Sequence, residues 1–282
     1  MKPTLISHFY NEEFLLPFWI KHHKPMFDHA VMIDYGSTDR SVEIIKELAP
    51  EWEIVPTVNE YFDGLVIDKE VMAIEMQFDG WKTCLNTTEF LLVPDLVEYL
   101  TRFESEHPDK GIVRTTAAYM VDDEKDMNSD VNFNKHLVMQ RTWGYFEEDI
   151  LPHQIDWHGD GTHMVSPPRK SRLIHKMPHG NYKSGRHNTN YPDKLWFKDP
   201  ELILCWFNWS PFMYISDRKV NIWNKTSPQE QRNGHKKWLM DEVEMFQKQA
   251  LHHATMSGDL MNNSKFRNAY NAFKHVRGNE EL

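Results

Sequence analysis

The chain has 282 residues, with 42 Asp and Glu against 32 Lys and Arg, so its formal charge is −10 with histidine neutral. That balance argues against a nucleic-acid partner and a basic membrane-binding face, which both need clustered cations. A hydrophobic fraction of 40%, with 10 Trp, 16 Phe and 10 Tyr, excludes a disordered chain by supplying ample apolar surface for a core.

The length fits one large domain or two small ones. Cys84 and Cys205 cannot build a disulfide framework and suit a reducing compartment. No apolar run approaches the roughly 18 residues of a transmembrane segment, and the first ten residues lack the basic-then-apolar pattern of a signal peptide. The expectation is a soluble, cytoplasmic protein.

Short apolar runs alternate with helical periodicity over the first hundred residues, which predicts an α/β half. Thr4 to Phe9 reads as a strand, and Asn11 as the cap of a helix through Ile20, with Pro17 awkward inside it. Ala30 to Asp34 reads as a second strand ending in the polar turn Tyr35 to Asp39. Val42, Ile45 and Ala49 mark the next helix. Trp52 to Val58 is a third strand, and Ile67, Val71, Ile74 and Phe78 form another helical stripe. Phe90 to Val93 is strand-like, Pro94 opens a helix through Phe103, and Gly111 to Met120 is again a strand. From 144 to 200 the spacing supports only a short strand near Arg172 to His175. Leu239, Val243, Phe246 and Ala250 repeat at helical spacing, and a last helix is expected from Asn262 to Val276.

Polar clusters follow the first two strands, His8 to Glu13 and Asp34 to Asp39. In open α/β sheets ligands sit outside the carboxyl ends of strands, so both clusters should face one crevice. Asp34 either accepts hydrogen bonds from a nucleoside or caps its own turn. Ser37, Thr38 and Asp39 read as helix-capping residues.

The strings LISHFYNEEFLLPFWIKHH and HAVMIDYGSTDRSVEII resemble the start of a family-2-type glycosyltransferase of the GT-A fold, over roughly residues 4 to 120. The resemblance implies a Rossmann-like mixed sheet flanked by helices, with a C-terminal helical extension. It implies a nucleotide-sugar-dependent, hexosyltransferase-like enzyme taking a nucleotide-diphosphate sugar as donor and a carbohydrate, lipid-linked or small acceptor, with inversion. By position, it implies nucleotide contacts from Phe9, Tyr10, Asn11 and Glu12 and from the Asp34 carboxylate. Residues 1–120 would then form the nucleotide-sugar half, 121–225 the acceptor-side, loop-rich half, and 226–282 the helical extension.

Such enzymes usually carry an Asp-x-Asp that holds Mg2+ or Mn2+ against the donor diphosphate. In GWKTCLNTTEFLL, Asn86 and Thr88 stand in those places, followed by Glu89 and Phe90. Hard divalent cations favour carboxylate and water oxygens, so three readings stay open. A divalent cation is held weakly by Glu89, Asn86 and a distant histidine. The diphosphate is instead met by Lys69, Arg169, Lys170, Arg172 or Arg186. Or the protein is a catalytically silent nucleotide- or glycan-binding module. Among His163, His175, His179 and His187, the resemblance singles out His187 as a metal or diphosphate ligand.

An acceptor hydroxyl needs a general base. The acidic candidates are Glu147, Glu148, Asp149, Asp156 and Asp160, of which Asp160, between two glycines, and Asp156, beside Trp157, are preferred. The stretch Cys205 to Phe212 reads as core, and Asp217-Arg218-Lys219 carries no assigned role. A histidine-rich metallohydrolase on another fold is a rival that leaves both N-terminal motifs unexplained.

Overall fold

The computed structural model describes residues 2–149, 155–156, 164–165, 170–183, 185–232, 250–251 and 253–278. Period-2 alternation sets up the first strands. In β1 (Thr4–Phe9) and β2 (His29–Asp34), Leu5, Phe9, Ala30 and Met32 point into one core, while Ile6, Val31 and Ile33 point into the other. A strand covered on both faces must be apolar on both.

β1 lies parallel to β2 on one side and to β4 (Lys82–Cys84) on the other, and β3 (Glu53–Pro56) extends the parallel array beyond β2. Beyond β4 the sheet turns mixed. β10 (Leu173–His175) runs antiparallel to both β4 and β6 (Ile112–Val121), and β7 (Trp143–Phe146) runs antiparallel to β6. β11 (Trp196–Trp209) pairs parallel with β6 and antiparallel with β5 (Glu89–Leu92). The alternation predicts the α/β half, and a mixed sheet flanked by helices is the architecture that the resemblance implies. Among the described residues, no helix is long and apolar enough to cross a membrane.

The helices α1 (Leu16–His23), α2 (Ser41–Leu48), α3 (Gly64–Glu75) and α4 (Leu96–Glu106) alternate with these strands. Asp63 caps α3 by accepting from the Leu65 and Val66 amides, and Asp95 caps α4 through the Glu98 amide. The first helix begins at Leu16 rather than Asn11. Pro17 sits in its first turn, where a missing N–H is harmless, and Asn11 adopts φ 51 in the preceding turn, a conformation Asn tolerates.

β7 and the opening of β11 lie where little regular structure is expected. The opening of β11 is polar, contains Pro200, and shifts register between Lys198 and Ile203, which hides the strand period. α5 (Phe212–Lys225) follows β11 directly. The C-terminal helix Ser264–Arg277 inserts Phe266 and Phe273 into the main core, and Arg277 Nη1 donates to the His22 carbonyl at 3.0 Å. Leu239, Val243 and Phe246 lie outside the described residues.

Candidate active site

Because β1 to β4 run parallel, the loops leaving their carboxyl ends gather at one edge. A cavity of about 280 Å³ opens there. Its wall takes His8 from the end of β1 and Glu12 from the turn after it, Phe62 from beyond β3, and Asn86 and Glu89 from beyond β4. Lys170, Trp206 and Arg218 come from the later chain.

The two N-terminal motifs are clasped to each other. The Asn11 amide donates to Ser37 Oγ at 3.2 Å, the Thr38 amide to Asn11 Oδ1 at 2.8 Å, and the Glu12 amide to Ser41 Oγ at 2.7 Å. Ser37 and Thr38, expected as helix caps, therefore serve as cross-links between turns. Asp39 does accept the Ser41 amide at 2.9 Å and also holds the Glu13 amide. Phe9 is core, with its carbonyl receiving the Tyr35 amide at 3.0 Å. Tyr10 lies edge-on to Phe62, under the Lys225 ammonium. Asp34 Oδ1 accepts the Ser37 amide at 2.9 Å, and Oδ2 makes no hydrogen bond among the described residues.

The segment Asn-Thr-Thr-Glu folds into a tight turn. The Glu89 amide donates to the Asn86 carbonyl, and the Asn86 amide returns to Glu89 Oε2 at 2.8 Å. Arg172, entering on β10's approach, grips the same carboxylate with both arms, Nε to Oε2 and Nη2 to Oε1, each at 2.7 Å. Both side chains are 1% exposed. Arg186 repeats the device one layer out. Its Nη1 meets Asp68 of α3 at 2.5 Å and its Nη2 meets the Asn86 side-chain carbonyl at 3.1 Å, from a backbone at φ 61. Lys69, next to Asp68, is exposed on α3 and does not line the cavity.

The loop carrying Arg186 is anchored from below. Buried Glu75 accepts the Gly180 amide at 2.7 Å and the Tyr182 hydroxyl, and faces His175 Nε2 at 3.2 Å. Burial pushes the Glu75 carboxyl up, and these donors outweigh it, leaving it below its ordinary value.

Arg218 of α5 reaches Glu12 through Nε, 2.9 Å from Oε2. Its terminal nitrogens make no hydrogen bond among the described residues. Burial nevertheless raises the Glu12 pKa, against the pull of Arg218. Lys170 Nζ lies 4.5 Å from the Trp206 ring centroid, and its amide is fixed by Glu147 Oε2 at 2.8 Å. His187 Nδ1 sits 3.2 Å from the Ser171 carbonyl. Burial first, then the charges of Arg172 and Lys170, hold its pKa well below the usual value.

This donor set does not fit a hard divalent cation. Glu89, expected as a ligand, has both oxygens taken by Arg172, the Asn86 carbonyl is taken by Arg186, and His187 stands among cations rather than carboxylates. Among the described residues no group of three His, Cys, Asp or Glu is placed to hold a metal. Asp160, His163 and Arg169 lie outside the described residues. Asp156 is described only as backbone in the two-residue pairing of β8 (Ile155–Asp156) with β9 (Met164–Val165).

Trp206, Asn208 and Arg218 were not among the expected site residues. The signal for the first two is a strict alternation at the end of β11, where Cys205 and Phe207 enter the core while Trp206 and Asn208 line the cavity.

No protein-family profile and no curated protein sequence matches the chain. Solved structures similar to it include glucosyl-3-phosphoglycerate synthase from Mycobacterium tuberculosis in complex with Mn2+ and UDP-glucose. That likeness has 14% identity and a TM-score of 0.32, and covers 41% of this chain and 43% of that one. S. aureus TarS 1-349 is similar at 12% identity and a TM-score of 0.38, over 98% of this chain and 81% of that one. This chain thus spans less than half of the synthase.

Proposed function

We propose that the protein is a GT-A-type glycosyltransferase that binds a nucleotide-diphosphate sugar in the 280 Å³ cavity and transfers the sugar, with inversion, to a glycan, lipid-linked or small acceptor. The observation carrying this reading is the convergence on one cavity of the loops after β1, β3 and β4 with Lys170, Arg218 and Trp206. Cations suit a diphosphate, and an indole face suits a sugar ring.

In this reading Asp34, whose Oδ2 is not used by its own turn, holds the ribose or base, and the clasped Asn11–Glu12 turn shapes the nucleoside pocket. The acceptor oxygen attacks the anomeric carbon as the bond to the diphosphate oxygen breaks. The bond's electron pair leaves with the nucleoside diphosphate, where cations stabilise it. The acceptor proton passes to a carboxylate, for which Asp156 and Asp160 are the proposed bases.

A thermal-shift screen with UDP, GDP, CDP and dTDP tests the binding half, since a ligand of the folded state raises the melting temperature. At least one nucleotide should give a saturable shift, and no shift with any of them refutes the reading. Release of nucleotide from a sugar donor tests the enzyme half. Binding without release under any donor and acceptor makes the protein a silent nucleotide-binding module.

A further inference from the structure

In a metal-dependent sugar-nucleotide site, carboxylates face the ligand and need a cation to bring the diphosphate beside them. Here three carboxylates in or beside this wall are already matched by arginines, and a fourth, Glu230, accepts the Gly64 amide at 3.2 Å. Arg172 neutralises Glu89 through two 2.7 Å bonds, Arg186 neutralises Asp68, and Arg218 neutralises Glu12. The two positions where carboxylates would hold the ion are Asn86 and Thr88. Asn86 points its carbonyl at Arg186, and buried Thr88 gives its backbone oxygen to the Phe207 amide at 2.7 Å.

The wall also carries Lys170, and among the described residues the terminal nitrogens of Arg218 make no hydrogen bond and can meet a further acceptor. The local field points the same way. Burial, Arg172 and Lys170 disfavour a proton on His187, and burial, Arg218 and Lys170 disfavour one on Lys219. Burial disfavours a charge of either sign, whereas the neighbouring Arg172, Arg218 and Lys170 charges repel Mn2+ and attract an anion.

We infer that the cavity takes the diphosphate of its ligand without a divalent cation, through the Lys170 ammonium and the terminal guanidinium nitrogens of Arg218, over a floor neutralised by the Glu89–Arg172 and Asp68–Arg186 pairs. This rests on the nucleotide reading above. It makes two side-chain cations do what an ion held by Asp-x-Asp would do, with the buried arginines as positioning residues.

The test is calorimetric titration of the full chain with UDP, GDP, CDP and dTDP, in EDTA and again in Mn2+ and in Mg2+. The nucleotide that binds is expected to do so with a Kd that agrees within about twofold in all three media, because a tenfold gain corresponds to 1.4 kcal/mol of new interaction. Binding in Mn2+ or Mg2+ but not in EDTA, or a tenfold gain from either ion, overturns the inference and leaves the nucleotide reading standing. No binding in any medium overturns the nucleotide reading itself. Lys170→Met keeps the stem on Trp206 and removes the charge, and is expected to weaken binding about tenfold or more in EDTA. Arg218→Lys keeps a cation beside Glu12 and loses the fork, with a similar loss expected. Wild-type affinity in both variants, with melting temperatures unchanged, assigns the diphosphate elsewhere and overturns the inference.

Discussion

Arg172→Met isolates the pair at the centre of the site. It leaves the Glu89 carboxylate 1% exposed with no cation bonded to it, and also removes the 2.5 Å bond from Arg172 Nη1 to the Gly185 carbonyl. Breaking a buried ion pair by removing one partner costs about 3–5 kcal/mol, most of it the penalty of the stranded charge. For 282 residues the entropy of unfolding near the midpoint is roughly 0.6 kcal/mol/K. The melting temperature should therefore fall by about 5–8 °C. Adding Glu89→Gln removes the stranded charge while keeping an acceptor for the Asn86 amide. The double variant should recover most of the loss and return to within about 2 kcal/mol of wild type. Circular dichroism melts and urea titrations of the four proteins measure this. A fall under about 2 °C for Arg172→Met, or a double variant whose loss equals the sum of the single losses, refutes the claim that the two charges stabilise each other in a dry site.

Asp34→Ala is expected to weaken nucleotide binding about tenfold, the loss of one charge-assisted hydrogen bond, and equal affinity by calorimetry would remove Asp34 from the site. Burial holds His23 at about 3, and His22 and His187 well below the usual value. Below about pH 6.5 the unfolded chain gains protons at these sites and the folded chain does not, so each destabilises the fold by roughly 1.4 kcal/mol per pH unit until the folded pKa is reached. Glu12, Asp122 and Glu147, pushed up by burial, act oppositely, so the difference between variant and wild type isolates one histidine. Between pH 7.5 and 5.5 the wild-type melting temperature should fall relative to that of His187→Asn, and parallel profiles would contradict the assignment. At Gly144 on β7, an added Cβ would lie 2.1 Å from the Tyr119 carbonyl oxygen of β6. Gly144→Ala should thus destabilise by about 2 kcal/mol or more in urea melts, and a neutral result would show that the two strands can separate freely.

The parallel half was legible because its strands are short apolar runs between amphipathic helices, and the turn residues after β1 and β2 mark where a ligand edge would form. The roles of those turn residues were less so, since Ser37 and Thr38 bond to a turn from another part of the chain and local capping rules do not see such partners. Glu89 illustrates the same limit. Its position suggested a metal ligand, and only the fold brings Arg172 onto both of its oxygens. Arg218 stood in a motif without a role because its partner, Glu12, is more than two hundred residues away in sequence. Trp206 was read with its neighbours as core, and it is buried in a cluster with Tyr119, Tyr145 and Trp209 while also lining the cavity. The alternation that separates Trp206 from Phe207 holds only for a strand, and the bulged, Pro-containing start of β11 obscured that strand.

β11 also sets an order of events. It is the only described partner of β5, and through Trp196 to Ile112 and Trp209 to Val121 it lines the flank of β6. A ribosome emitting this chain releases β5 and β6 long before it releases the strand that covers them. Until then both present bare amide edges of the kind that template association with other chains. The nascent sheet thus remains open at its middle while its parallel flank is already complete, and the same late strand that closes it delivers Trp206 and Asn208 to the cavity. The aromatic part of the cavity wall and protection from aggregation therefore arrive together, ahead of Arg218 on α5.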